Sequence, residues 1–217
     1  MVNIKNNQTA LKILMLPIIS VLLIFSSCTN QEKTMDSKIF WEIMESSRKK
    51  SNGDIDLQTD IIQEQLSAYN PEQLIKFDSL QKQFFTNAWS KKTNIAYFAI
   101  TAKPLISKKL YAGDNGYNGF LLWLIGQGEN TYHQTLENPD FLSNIVNKET
   151  DTNMELAAVV AQDVYFEKTG KEMPLTITNN PKALQLHPEM IDMGDYYNEI
   201  AKTCPNLWKK FQIINEN

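Results

Sequence analysis

Three side chains in the sequence have the chemistry that acid–base catalysis uses: Asp114, His133 and Glu42. Histidine exchanges a proton near neutral pH, and a carboxylate can orient it or carry a second proton. The three residues are far apart in the sequence, so a hydrolase-type site requires the fold to bring them within hydrogen-bond reach. We favour the other interpretation, in which His133 is a surface or half-buried histidine and Glu42 lies on a solvated helix face.

The common metal-binding patterns are incomplete in this chain. His133 and His187 are the only histidines, and neither has the neighbouring histidine or cysteine pair that zinc requires. The stretch 114–119 resembles the start of a calcium loop, but its third position is Gly116 and its twelfth is Ile125 instead of glutamate. We therefore expect a capped turn that leads into a helix at Phe120, with no metal and no cofactor.

Apolar residues recur at helical spacing along most of the chain. The clearest helix start is Asn70-Pro71-Glu72, where a cap residue, a proline and an acid follow one another. We also expect Ser37 to cap the first helix. Thr152 and Glu155 have capping-box spacing before a helix that ends at Gly170. No pair of strands with a hairpin turn is evident, so the sequence predicts one all-α domain of irregularly arranged helices.

The four tryptophans lie inside these apolar stripes, which makes the core their expected place. Trp41 and Trp123 are the candidates to line an aromatic ligand pocket, if one opens beside them.

The N-terminal segment predicts export and lipidation at Cys28. The first twelve residues contain Lys5 and Lys12 and no acid. An apolar run then covers 13–25, and small residues directly precede Cys28. The segment resembles a bacterial lipoprotein signal, in which the cysteine is acylated and the peptide is cut before it. The apolar run is shorter than the roughly 18 to 20 residues of a membrane span. We expect a signal at 1–27, a tether at 28–37 and a domain at 38–217, on the periplasmic or outer-membrane face of the cell envelope.

The charge of the mature chain limits its partners. Without Lys5 and Lys12 it would carry 19 basic and 25 acidic residues, a net charge of −6. Nucleic acids require clustered basic residues, so they are excluded as partners, whereas a basic protein is compatible with this charge. If Cys28 is acylated, Cys204 is the one remaining thiol, and we expect it to be buried and unreactive.

Five segments together resemble one bacterial family, catalogued as domain of unknown function 4240. They are, in chain order, 39–45 (IFWEIME), 120–128 (FLLWLIGQG), 136–140 (LENPD), 164–170 (VYFEKTG) and 204–211 (CPNLWKKF). The resemblance implies a mostly helical, cytoplasmic type of protein without an established activity, so a lipidated member departs from it.

The central motif of that family usually has two acids before the first phenylalanine and an arginine after it. In this chain only one of the two acids is present, Asp114, and Leu121 occupies the position where the arginine is expected. If that acid and arginine form a functional pair in the family, this chain has lost it. The sequence thus favours a lipid-anchored, non-catalytic binding module, with the Asp114, His133 and Glu42 hydrolase as the alternative.

Overall fold

A computed structural model describes residues 34–101, 114–175 and 193–212, and these belong to one compact unit, Thr34–Asn217. Every regular element in these ranges is helical, which confirms the all-α prediction. Cys28, the signal and His187 lie outside the described residues.

The α-helices are α1 (Ser37–Ser51), α2 (Ile55–Leu66), α3 (Pro71–Ala88), α4 (Lys91–Thr101), α5 (Asp114–Gly126), α6 (Glu129–Glu137), α7 (Val160–Thr169), α8 (Met193–Thr203) and α9 (Pro205–Gln212). Two 3-10 helices cover Pro139–Asn144 and Glu155–Ala158.

The first three helices begin where a side chain accepts a hydrogen bond from the first turn. Asn70 and Gln73 form a complete capping box at α3, as the sequence indicates. Asp54 caps α2. The cap of α1 is Asp36, whose Oδ1 accepts from the backbone N–H of Ile39 at 2.9 Å, so the expected cap at Ser37 is wrong by one residue.

Helix α5 begins at Asp114 and includes the glycine-rich stretch that we expected to be a turn before Phe120. The reason is packing. A side chain at Gly116 would collide with the Tyr97 hydroxyl, and one at Gly119 with the amide of Asn153. These glycines let neighbouring segments approach the helix closely, and tertiary contacts outweigh the weak helix propensity of glycine.

The rest of α5 is buried on all sides, as expected for a helix at the centre of a domain. Its buried residues form a continuous run: Phe120, Leu121, Leu122, Trp123, Leu124 and Ile125. Leu121, which replaces the arginine of the family motif, is fully buried in this run. An arginine in the same environment would need a charged partner to offset the loss of its hydration.

Aromatic side chains connect α1, α3 and α6 beside this central helix. The ring of Trp41 lies 4.5 Å from that of Phe84 and 5.2 Å from that of Tyr132, measured between centroids. The Tyr132 hydroxyl donates to the carbonyl of Phe84 at 2.7 Å. The phenol is therefore buried with its polar atom satisfied.

The segment before α7 differs from its prediction. Thr152 does not cap a helix; instead the chain forms the 3-10 helix Glu155–Ala158, and α7 follows from Val160 without a side-chain cap. The end of α7 is as predicted, with Gly170 in the left-handed conformation at φ 66°. Gln81 of α3 donates to the carbonyl of Ala157 at 2.9 Å, which holds the 3-10 helix in place.

We predict that Leu121→Ala lowers the free energy of unfolding by about 2–5 kcal/mol, because it leaves a cavity inside the core. Leu156→Ala, at an exposed position of the 3-10 helix, should change it by less than about 0.5 kcal/mol. Urea unfolding followed by circular dichroism measures both. Equal losses from the two variants would contradict the central position of α5.

Candidate functional site

Helix α2 has one buried face and one exposed face. Its buried residues are Gln58, Thr59, Ile62 and Leu66. The exposed side carries Leu57, Asp60 and Glu64, which the helical repeat places opposite the buried residues, with the exposed Asp56 beside them. The helix contains no lysine or arginine.

Helix α7 is divided in the same way. Its buried residues are Val160, Ala161 and Val164. The exposed face carries Val159, Asp163 and Phe166, at intervals of four and three residues, and Leu156 precedes them on the 3-10 helix. An apolar row therefore faces solvent on the side of α7 that points away from the core.

Helix α2 packs on α7, and a buried contact at Gly126 links α2 to the segment that precedes α7. The amide of Gln58 donates to the Gly126 carbonyl at 2.8 Å, and the sulfur of Met154 lies 2.9 Å from where a β-carbon of Gly126 would stand. Leu57 immediately precedes Gln58 on α2, and Leu156 lies two residues after Met154. Helix α2 also packs directly on α7 and on the 3-10 helix Glu155–Ala158. We call the exposed faces of α2 and of segment 151–167 together the α2–α7 surface.

The α2–α7 surface combines apolar and acidic residues. Its apolar members are Leu57 (43 % exposed), Leu156 (65 %), Val159 (43 %) and Phe166 (55 %). Among the described residues, the remaining exposed large apolar side chain is Leu175. The surface also carries seven exposed acids, and one exposed base, Lys168, follows them at the end of α7. The acids are Asp56, Asp60, Glu64, Asp151, Glu155, Asp163 and Glu167. Clustered exposed apolar residues with a polar rim are typical of interaction sites.

This surface was not predicted from the sequence. The signal that could have revealed it is the spacing of Val159 and Phe166, seven residues apart and out of phase with the buried Val160 and Val164. A helix with apolar residues on two opposite faces has more apolar surface than one core can cover.

The predicted catalytic residues are only partly described. Asp114 begins α5, but its side chain lies outside the described ones. His133 is exposed on α6, with its ring 5.2 Å from that of Tyr132 and 6.4 Å from that of Trp41. Glu42 is exposed on α1, 4.0 Å from the Lys38 ammonium. Convergence of Asp114, His133 and Glu42 in one cleft therefore stays a prediction.

The two tryptophans proposed to line a ligand pocket lie in the core. Trp123 stacks on Phe120 at 5.8 Å, and Trp41 packs in the aromatic cluster of α1, α3 and α6. The indole Nε1 of Trp41 is buried and has no hydrogen-bond partner among the described atoms. Both rings fill space between helices, which is the role that their positions in apolar stripes predict.

A polar cleft of about 430 Å³ opens between the 3-10 helix Pro139–Asn144 and α9. The buried carboxylate of Asp140 accepts hydrogen bonds from the backbone N–H groups of Asn206 and Leu207 at 2.8–3.1 Å. Lys210 donates to the carbonyl of Ser143 at 2.8 Å. The carboxylate thus caps α9, and both charged groups of the cleft hold the fold together.

Cys204 lies next to this cap and is fully buried. Burial, and secondly the charge of Asp140, raises the pKa of its thiol to about 12. The prediction that Cys204 is buried is confirmed, and the raised pKa favours the neutral thiol at physiological pH. Its low reactivity stays a prediction.

Two kinds of site are not found in the part of the chain that the structure describes. No group of three or more histidine, cysteine, aspartate or glutamate side chains there could hold a metal ion. In the same ranges, no helix combines the length and apolarity that crossing a membrane requires.

A family model described as "Protein of unknown function (DUF4240)" matches residues 35–167, which is more than half of the chain. The chain belongs to the DUF4240 family. The matched range runs from the cap of α1 into α7 and contains both segments of the α2–α7 surface, whereas α8 and α9 lie beyond it. No curated protein and no solved structure matches the chain.

We predict that the stability of this DUF4240 protein falls as the pH rises above about 9. Burial raises the pKa of Cys204 from 9.0 and that of Tyr117 from 10.0, each to about 12. The unfolded chain releases these protons first, so the stabilisation is complete below pH 9 and is lost as the pH approaches 12. Urea unfolding across this range measures the loss.

Two controls accompany this measurement. Tyr117→Phe should make the alkaline decrease in stability shallower. Iodoacetamide at pH 8 should leave the Cys204 peptide unmodified until urea is added. Rapid modification of Cys204 in the folded protein would contradict the burial of its thiol.

Proposed function

We propose that this DUF4240 protein is a non-catalytic binding module, anchored to the bacterial cell envelope through an acylated Cys28, that uses its α2–α7 surface to bind a basic protein. The observation that carries the proposal is the charge distribution of that surface. Segment 55–66 and the stretch from 151 to the end of α7 hold seven exposed acids and one exposed base, Lys168, whereas the whole chain carries 21 basic residues against 25 acidic ones. The negative charge is therefore concentrated on one face.

Concentrated charge of one sign has a known physical consequence. It raises the encounter rate with partners of the opposite sign and repels partners of the same sign. Nucleic acids and anionic lipid surfaces are repelled by this face. A basic protein is attracted to it, and the apolar side chains between the acids can then be buried on contact.

The anchor is supported by the order of charge, apolar run and small residues before Cys28. Several acyl chains, each contributing about 0.8 kcal/mol per buried methylene, suffice to hold a protein on a bilayer. Such an anchor places the protein at a membrane without requiring a spanning helix.

We predict that Cys28→Ala abolishes incorporation of labelled palmitate and shifts the protein from the membrane fraction of its own cells. The experiment measures incorporation of the labelled palmitate into the protein, and an immunoblot of the cell fractions shows where the protein is found. Cys204→Ala is the matched control and should behave as the wild type. Palmitate incorporation that survives Cys28→Ala would contradict the anchor while leaving the binding surface untouched.

We predict that a photo-crosslinking amino acid at position 156, in the full chain in its own cells, captures one basic protein. The double variant Asp163→Asn/Glu167→Gln should reduce the crosslink yield severalfold, because it removes attraction at the surface. Glu129→Gln/Glu137→Gln is the matched control, since it removes one first-turn and one last-turn acid from α6. That control should leave the yield unchanged.

A second crosslinking position separates this face from the rest of the molecule. The same photoreactive residue at Glu137 should capture little of that partner. The proposal fails if position 156 captures no protein, or if both double variants lower the yield equally.

A further inference from the structure

We propose that the segment that binds the α2–α7 surface is a basic amphipathic helix, whose apolar face covers Leu156, Val159 and Phe166. This rests on the proposed function and names the chemistry of the partner. The three apolar residues form one row along the 3-10 helix and α7. Acids of α7 and of the neighbouring α2 flank this row.

The dimensions of the row match the repeat of a helix. Leu156 and Val159 are three residues apart at a 3-10 helix, where such residues lie one above the other about 6 Å apart. Val159 and Phe166 are two α-helical turns apart, about 10.5 Å along the axis. A partner helix with apolar residues at i, i+3 or i+4, i+7 and i+11 presents anchors at the same intervals.

The secondary structure of the surface favours a helix over a strand as the occupant. Peptides that bind as strands add to the open edge of a sheet, and the described residues contain no strand. An exposed helix instead offers ridges between which the side chains of a second helix can pack. Helix α7 presents such a ridge next to α2.

The acids define the charge of the partner. Asp163 and Glu167 lie on α7 itself, and Asp60 and Glu64 lie on the exposed face of the adjoining α2. Lysines or arginines beside the apolar stripe of the partner would meet them. A second copy of this chain would instead place these acids against the same acids, which is unfavourable.

Hydrogen bonds to α3 hold the elements beneath the row. Gln162 donates to the buried carboxylate of Asp78 at 3.2 Å, and Gln81 holds the carbonyl of Ala157. Because the row is held in place before binding, little conformational entropy is lost when a partner docks. The row residues themselves are more than 40 % exposed, so their truncation leaves the core intact.

The test measures peptide binding to the full chain in nanodiscs of zwitterionic lipid, with empty nanodiscs subtracted. The probe is an 18-residue peptide of lysine and leucine with leucines on one helical face. One control peptide has the same composition in an order that disperses the leucines, and another replaces every lysine with glutamate. The proposal expects the first peptide alone to bind, and to bind more weakly as salt rises.

Substitutions locate the binding. Phe166→Ala should raise the Kd for the first peptide about tenfold, as truncation of a large aromatic anchor does. Phe141→Ala, at a partly exposed position of the 3-10 helix Pro139–Asn144, is the matched aromatic control and should change it little. Unfolding curves of both variants show that the fold is retained.

The outcomes separate this inference from the proposed function. Equal binding of the dispersed peptide, or no effect of Phe166→Ala, overturns the helix proposal. A dimer of this chain that Phe166→Ala dissociates also overturns it, since a second copy is then the occupant. In each case a basic partner crosslinked from position 156 would keep the proposed function standing. If neither peptide binding nor a crosslinked partner is observed, both the helix inference and the proposed function are wrong.

Discussion

The burial of α5 is the constraint on which the rest of the structure depends. A helix that is apolar on every side has to be surrounded, and α1, α3, α4, α6 and the 3-10 helix Glu155–Ala158 all contact it. Its glycines allow this crowding. At Gly126 the absence of a side chain admits both the amide of Gln58 and the sulfur of Met154. That contact links α2 to the segment that leads into α7, and α2 also packs on α7 itself.

Acidic residues divide into two groups according to this packing. Some are used inside the fold. The carboxylate of Asp140 caps α9, and that of Asp78 receives Gln162 at 3.2 Å and the Lys82 ammonium at 2.7 Å. A buried carboxylate with several donors is stable because its lost hydration is replaced. The acids of the α2–α7 surface point to solvent instead, where their charge acts on molecules outside the protein.

Helix α7 has apolar residues on two opposite faces, one packed in the core and one exposed to solvent. The inner face, with Val160 and Val164, packs on α3, and the outer face presents Val159 and Phe166. The inner contact holds the helix, while the outer row is available for a partner. The DUF4240 match includes this helix up to residue 167, so the arrangement lies within the part of the chain that the family model matches.

The sequence by itself determined the fold class and most helix positions, because the signals concerned are local. The capping box of Asn70 and Gln73 and the left-handed Gly170 involve residues within one turn. The burial of Cys204 was also predicted, because a lone thiol is more often buried than reactive. Tertiary structure alone decided that α5 begins at Asp114, since only the neighbouring Tyr97 and Asn153 show why glycine stands there.

Tertiary structure also decided where the α2–α7 surface lies. Periodicity shows which residues share a face of one helix, but not which face another element covers. Helix α2 packs beside α7, and its Gln58 donates to a carbonyl 68 residues away in the chain, at Gly126. No local pattern encodes a contact of that separation. Long-range packing therefore placed the acids and the apolar row on one surface.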